Sequence, residues 1–219
     1  MSSPEVELRG VWTRLTAAAP AGTATDHLLD ALFARLREPH RRYHTAVHVM
    51  WVLRHVGSLA HLLGSPHQLA AVELAALYHD AVHDPRRNDN EVLSAELAAS
   101  VAADLGWSST DCDDVRRLVM VTATHRPAAT DEAVLVDADL AVLGGDPRSY
   151  TAYVNGVRAE YAHVDDYGWR NGRSAVLRHF LDAAQVFHTA QMRTAREARA
   201  RANMAAELAA LAGPGPRGQ

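Results

Sequence analysis

The stretch LAALYHDAVHD, residues 74–84, joins an apolar run to an adjacent imidazole and carboxylate. Leu74, Leu77 and Tyr78 have helical spacing, so the run predicts a buried helix that ends in His79 and Asp80. A carboxylate at the end of an apolar helix is costly unless a cation or a hydrogen-bond donor compensates it. Metal coordination is one such compensation, so this pair is a candidate metal site.

The rest of the chain has the same helical period, with abundant Ala, Leu and Arg and few β-branched runs. Ser65 and Pro66 predict a helix cap and a first helical residue. We therefore expect an all-α fold, with one domain over 1–212 and a disordered tail over 213–219. The predicted helices cover 5–18, a segment from Thr25, 43–63, 66–82, 90–105, a segment from about 110, 131–143, 147–162, 173–189 and 191–212.

Two further segments carry candidate ligands in apolar surroundings. In the helix predicted over 43–63, His44 and His48 lie four residues apart and share one face. In VLVDADLAVLG, residues 134–144, Asp137 and Asp139 interrupt a run that should be buried. Each side chain has an ordinary alternative, since a lone histidine is satisfied by a hydrogen bond and an Asp pairs with an Arg.

One histidine of the helix predicted over 43–63, the His79–Asp80 pair and one aspartate of 134–144 together supply two imidazoles and two carboxylates. Such a set suits one hard or borderline divalent ion per chain, namely Mn²⁺, Mg²⁺, Fe²⁺, Co²⁺ or Ni²⁺. Coordination positions would remain for water and substrate.

Composition excludes several other classes of protein. The chain has 219 residues, a formal net charge of −4 and 13 His. Mild acidity argues against a nucleic-acid partner, and no apolar run is long enough for a membrane span. The single cysteine, Cys112, cannot form an internal disulfide, and the first residues do not resemble a leader. We expect a cytoplasmic protein; the Ala-rich segment AAELAALA offers a surface for a homodimer.

The order of these residues resembles the HD superfamily of metal-dependent phosphohydrolases, whose pattern is a His, a His-Asp doublet and a distant Asp. On that resemblance His48 is the first histidine, His79 and Asp80 are the doublet, and Asp139 rather than Asp137 is the last ligand. The flanks YHTAVH, DNEVLSAE, THRP, DADLAVLG and VRAEY are similar to one subgroup of predicted HD phosphohydrolases, over about 40–205. The resemblance implies a helical bundle with the metal in a cleft between helices and a motif core at about 40–145.

The resemblance also implies an activity, hydrolysis of a small phosphorylated metabolite, with a nucleotide as the leading substrate class. Two alternatives stay open: a diiron oxygenase of the same superfamily, and a catalytically weak nucleotide-binding module. In the stringent-response nucleotide hydrolases a Glu-Asp pair follows the doublet, and here that place reads His83 and Asp84. Asp84 is therefore the expected general base, with Glu91 as its rival.

Phosphate binding calls for cations and hydrogen-bond donors near the ligands. Arginine suits this role because its planar fork matches phosphate oxygens. The candidates are Arg41 and Arg42 before the first ligand helix, and Arg158 in VRAEY. His44 is expected beside the metal as a catalytic group or phosphate donor, and His125 as a substrate-binding group or a ligand of a second metal.

Overall fold

A computed structural model describes residues 3–213, and in this range the chain is helical without a strand. The all-α prediction is confirmed. The α-helices are α1 Pro4–Leu15, α2 Thr25–Leu36, α3 Ala46–Leu59, α4 Pro66–Tyr78, α5 Asn90–Asp104, α6 Ser109–Val121, α7 Thr130–Asp139, α8 Pro147–Glu160, α9 Asp166–Asp182 and α10 Ala190–Ala212. Short 3-10 helices follow α3 at Ala60–Leu62 and α7 at Leu140–Gly144.

The chain divides into two compact units, Met1–Asp139 and Leu140–Gln219. Each unit has its own helices, and the single domain expected over 1–212 stays a prediction. The tail expected over 213–219 lies, apart from Gly213, outside the described residues. Among the described helices none is long and apolar enough to cross a membrane.

Helix α4 is the centre of the first unit. It packs against α3, α5, α6 and α7. From Ala71 to Tyr78 the helix is buried except at Glu73, as expected for a helix segment with neighbours all round. As predicted, Ser65 caps it and Pro66 is its first residue. Any polar group at its far end therefore lies deep in the unit.

The second unit is built around the turn that follows α7. Both α8 and α10 pack on the 3-10 helix Leu140–Gly144, and α10 also packs on α9. A buried ion pair joins Arg173 of α9 to Glu207 of α10, and Tyr150 of α8 donates to Glu207 at 2.6 Å. These contacts tie the three helices together within the unit.

Several predicted helix ends were wrong. Helix α3 begins at Ala46 rather than 43, because Thr45 has an extended backbone and its hydroxyl accepts from the N–H of Val47. Helix α4 ends at Tyr78 rather than 82. Helix α9 spans Asp166–Asp182 rather than 173–189, and its start is capped by the Asp165 side chain, which accepts from the N–H of Gly168.

Candidate metal centre

Three helices of the first unit bring four predicted ligands together. His48 is the third residue of α3, Asp139 is the last residue of α7, and His79 and Asp80 directly follow α4. These three helices pack against one another in pairs. The cluster therefore lies at the ends of helices. At these ends the chain changes direction, and side chains from different helices come together.

Each of the two imidazoles contacts the other three side chains through its Nε2 atom. Nε2 of His48 lies 3.1 Å from Nε2 of His79, 3.4 Å from Oδ2 of Asp80 and 3.2 Å from Oδ1 of Asp139. Nε2 of His79 lies 3.0 Å from Oδ2 of Asp80 and 3.5 Å from Oδ1 of Asp139. Each imidazole nitrogen therefore faces the other imidazole and both carboxylates.

The separations between each imidazole and its three neighbours fit the ligand sphere of one divalent ion. Ligand atoms about 2.1 Å from an ion lie about 3.0 Å apart at right angles and about 3.4 Å apart in a tetrahedron. The measured range of 3.0–3.5 Å matches both cases. His48, His79 and Asp80 alone already satisfy the distance requirement for a three-ligand metal group.

A backbone contact orients His79. Its Nδ1 lies 2.9 Å from the carbonyl oxygen of Ala76 in the last turn of α4. Since a carbonyl only accepts, Nδ1 carries the hydrogen, and in the neutral ring Nε2 holds the lone pair. Metal-binding histidines in proteins are commonly oriented by such a bond on the opposite nitrogen.

The charges of the clustered side chains shift one another's pKa values. Burial lowers the pKa of His79, but the charges and hydrogen bonds of Asp80 and Asp139 outweigh burial and raise that pKa well above its ordinary value. The pKa of His48 is raised in the same way.

Burial and hydrogen bonding shift the pKa values of the two carboxylates in the opposite directions. Burial raises the pKa of Asp139, and hydrogen bonds from His125, His48 and His79 hold it well below the ordinary value. Burial also raises the pKa of Asp80, and the nearby histidines, His79 foremost, hold it well below the ordinary value. Both carboxylates are anionic at neutral pH, the form that binds cations.

Of the two aspartates in DADLAVLG, Asp139 is the one in the cluster. Its Oδ1 faces both imidazoles, and its Oδ2 lies 3.5 Å from Nε2 of His125. Asp137 is fully buried in α7, where it has polar interactions of its own. The predicted substrate-binding residue His125 thus contacts a candidate ligand, and its backbone has a positive φ of 53°.

His44 lies beside the cluster, but not for the predicted reason. It precedes the Thr45 cap and is outside α3, so it does not share a helix face with His48. Its ring centroid nevertheless lies 5.6 Å from that of His48 and 4.1 Å from that of His83. A polar turn before the helix, rather than helical spacing, brings these rings together.

The two candidate bases lie beyond the doublet. Asp84 is in the turn between α4 and α5, and its Oδ1 accepts from the N–H of Arg86 at 2.9 Å. Asn90 holds this turn closed through the backbone N–H and carbonyl of Asp84. Glu91 is in the first turn of α5, partly exposed. The choice between them stays a prediction.

The predicted role of Arg41 needs correction. Its side chain is buried and donates to the carbonyl oxygens of Asp80 at 2.7 Å, Ala81 at 3.0 Å and His44 at 3.1 Å. The guanidinium is therefore occupied by the backbone around the doublet and is not a clamp for phosphate. The sequence offered no signal for this role, since Arg41 stands in a polar, turn-like segment.

The other predicted phosphate-binding arginines have separate environments. Arg42 donates to the carbonyl oxygens of Pro39 and Arg41. Arg158 belongs to the second unit, where it donates to Asp166 at 2.9 Å and its guanidinium lies over the ring of Trp169.

Two side chains near the doublet were missed by the sequence reasoning. Nε2 of His40 donates to the carbonyl oxygen of His83 at 2.6 Å, and Ser94 bonds both the N–H and the carbonyl of Val82. With Arg41, they hold the backbone of the turn after α4.

Comparison with known proteins identifies the segment that carries the cluster. The family model described as HD domain matches residues 45–139. No curated protein and no solved structure matches the chain. The matched range begins at the Thr45 cap and ends at Asp139, so it includes all four clustered side chains. The chain therefore carries, over residues 45–139, a domain of the HD superfamily.

Proposed function

We propose that this HD domain is a divalent-metal-dependent phosphohydrolase, with His48, His79, Asp80 and Asp139 as its metal ligands. One observation carries the proposal: Nε2 of His48 and Nε2 of His79 lie 3.1 Å apart, and each lies 3.0–3.5 Å from one oxygen of Asp80 and one of Asp139, inside the segment that matches the HD family. HD domains bind divalent metals and are generally hydrolases.

The ligand set supports a mononuclear site for Mn²⁺, Mg²⁺, Fe²⁺, Co²⁺ or Ni²⁺. A bound divalent ion supplies a nucleophile at neutral pH by lowering the pKa of its water, and it draws charge from a phosphate oxygen. The side chains of Asp80 and Asp139 are 20% and 15% exposed, so solvent reaches the carboxylate side of the cluster.

The surrounding residues have proposed roles in binding and proton transfer. Asp84, with Glu91 as its rival, orients the attacking water and accepts its proton. His44 and His125, which lie beside the cluster, donate to phosphate oxygens. The substrate is a small phosphorylated metabolite, and we propose a nucleotide because the family resemblance favours one.

The test has two parts. Protein purified without chelator is analysed for metal, and phosphate release is then screened over nucleotides and other phosphorylated metabolites with each added metal. We expect about one equivalent of metal per chain and metal-dependent phosphate release. His79→Gln should lose both. His67→Gln is the matched control, because His67 lies at the other end of α4 and is exposed, bonded to Asp111.

The alternatives give different results. Two iron atoms per chain with oxygen uptake would indicate a diiron oxygenase. Tight nucleotide binding without turnover under every metal would indicate a binding module. Wild-type protein without metal or phosphate release would overturn the proposal.

A further inference from the structure

Arg41 has an unusual environment for a charged side chain. Only 3% of the residue is exposed, and one carboxylate, that of Glu38, accepts from its Nε at 3.0 Å. Burying a guanidinium is costly unless its donors are satisfied. Here backbone carbonyls satisfy the remaining nitrogens, as the distances to Asp80, Ala81 and His44 show.

The acceptors explain why the cation is buried at this point. Helix α4 ends at Tyr78, so the carbonyls that follow have no partner in a continuing helix. Arg41 binds two of these, the carbonyls of Asp80 and Ala81. A basic side chain at a helix C-terminus also complements the negative end of the helix dipole.

The same guanidinium reaches the other ligand segment. Its Nη1 is shared between the carbonyl of Asp80, a residue of the doublet, and that of His44, just before the cap of α3. His48 lies in the first turn of α3. One planar group thus joins the start of the helix that carries His48 to the end of the helix that leads to His79 and Asp80.

Neighbouring side chains hold other parts of the same turn. Nε2 of His40 binds the carbonyl of His83, and Ser94 binds the backbone of Val82. Neither bond reaches a residue of the doublet or the α3 segment. Arg41 is therefore the side chain in this group that bonds both ligand segments.

We propose that Arg41 is a positioning residue of the metal centre: by bonding the carbonyls of His44, Asp80 and Ala81, it fixes the spacing between His48 and the His79–Asp80 doublet. The inference rests on the proposed function, because it takes these residues as metal ligands. Partners outside the ligand set typically change metal affinity by about 10–100-fold when they are removed.

The test measures the dissociation constant of Mn²⁺ by calorimetry on the full-length protein. Arg41→Met removes the bonds and keeps an apolar stem, and we expect affinity to fall by about 10–100-fold. Arg54→Met is the matched control. Arg54 is on α3 with His48, but its guanidinium makes a two-point bond to Glu7 at 2.8 and 2.6 Å, apart from the doublet.

Two further variants separate positioning from a general loss of stability. Arg41→Lys keeps the buried charge but offers one point of donation instead of a planar fork, so we expect a smaller loss of affinity than in Arg41→Met. In Arg41→Ala, added methylguanidinium should occupy the vacated space and restore part of the Mn²⁺ affinity. The same additive should leave Arg54→Ala unchanged.

The outcomes are distinguishable. Wild-type protein that binds no Mn²⁺ would overturn the proposed function and this inference with it. Wild-type binding, with Arg41→Lys and Arg41→Met as tight as Arg54→Met, would overturn the positioning role alone. Circular dichroism checks that each variant is folded. If Arg41→Met does not fold, the comparison of Arg41→Lys with the wild type tests the positioning role.

Discussion

Oδ1 of Asp139 lies 3.2 Å from Nε2 of His48, and this contact joins the last residue of α7 to the first turn of α3. The two residues are distant in sequence, and each is fixed by a helix end. Because both helices also pack against α4, the contact brings Asp139 to the same point as His79 and Asp80.

The first prediction concerns the choice of aspartate. Asp139→Asn removes an anionic oxygen that faces both imidazoles, so Mn²⁺ affinity should fall by at least about 100-fold, beyond what loss of an outer partner costs. Asp137→Asn, two residues away and fully buried, should keep the affinity of the wild type. Calorimetric titration measures both. Equal losses in the two variants would contradict the assignment of Asp139.

The second prediction concerns the general base. Asn can accept the N–H bond that Asp84 receives from Arg86, so Asp84→Asn keeps the turn and removes the charge. We expect kcat to fall by about 10²–10⁴-fold with metal content unchanged. Glu91→Gln should have little effect on kcat. If the effects of the two variants are exchanged, Glu91 is the base.

The third prediction concerns stability in acid. Arg117 bonds Asp131 at 2.8 Å and Glu132 at 2.7 Å, at the start of α7. Burial alone would raise the pKa of both carboxyls, but hydrogen bonds from Arg117 and from backbone N–H groups outweigh it and hold both pKa values below the ordinary range.

A pKa that is lower in the folded state stabilises the protein above the unfolded-state pKa, and this contribution is lost as pH falls through the folded value. The ordinary pKa values of the two carboxyls are 3.8 for Asp131 and 4.5 for Glu132. Arg117→Met should therefore lower the free energy of unfolding at neutral pH by about 1–3 kcal/mol. Below these ordinary pKa values the difference in free energy of unfolding between the variant and the wild type should shrink. Urea unfolding at neutral and at acidic pH measures it, and a constant difference would contradict the assignment.

The fourth prediction concerns close packing in the second unit. A Cβ on Gly144 would lie 2.6 Å from Cβ of Arg196 and 2.8 Å from its carbonyl oxygen. Gly144→Ala should therefore destabilise the protein by about 1–3 kcal/mol. Gly172, inside α9, has nothing within 4 Å of its Cβ position, so Gly172→Ala should stabilise by about 0.5–1 kcal/mol. Thermal unfolding measures the stability of both variants. A Gly144→Ala variant as stable as the wild type would show that α10 shifts easily to make room for the added methyl group.

The helices were predictable because their signals are local. Ser65 and Pro66 begin α4 as expected, since a cap and a first-turn proline act on the nearest backbone groups. The start of α3 was missed because Tyr43 and His44 are compatible with a helix, and only the side-chain bond of Thr45 to Val47 shows where it begins. The start of α9 was missed because Gly168 and Gly172 weaken its helical pattern.

The candidate ligands were predictable as residue types in a given order, but their surroundings were not. His48, His79, Asp80 and Asp139 stand out as polar residues in apolar helices. The role of Arg41 depends on carbonyls that become available only where α4 stops, and no sequence pattern marks that point. His40 acts on the carbonyl of His83 for the same reason.

The backbone of His125 is held in the left-handed region beside Asp139. A residue with a Cβ in that conformation costs of the order of 1–3 kcal/mol, whereas glycine adopts it without steric strain. A laboratory selection for heat resistance alone should therefore favour glycine at this position, while a selection for turnover should retain the histidine if it binds substrate as proposed. At position 125, therefore, selection for stability and selection for catalysis would favour different residues.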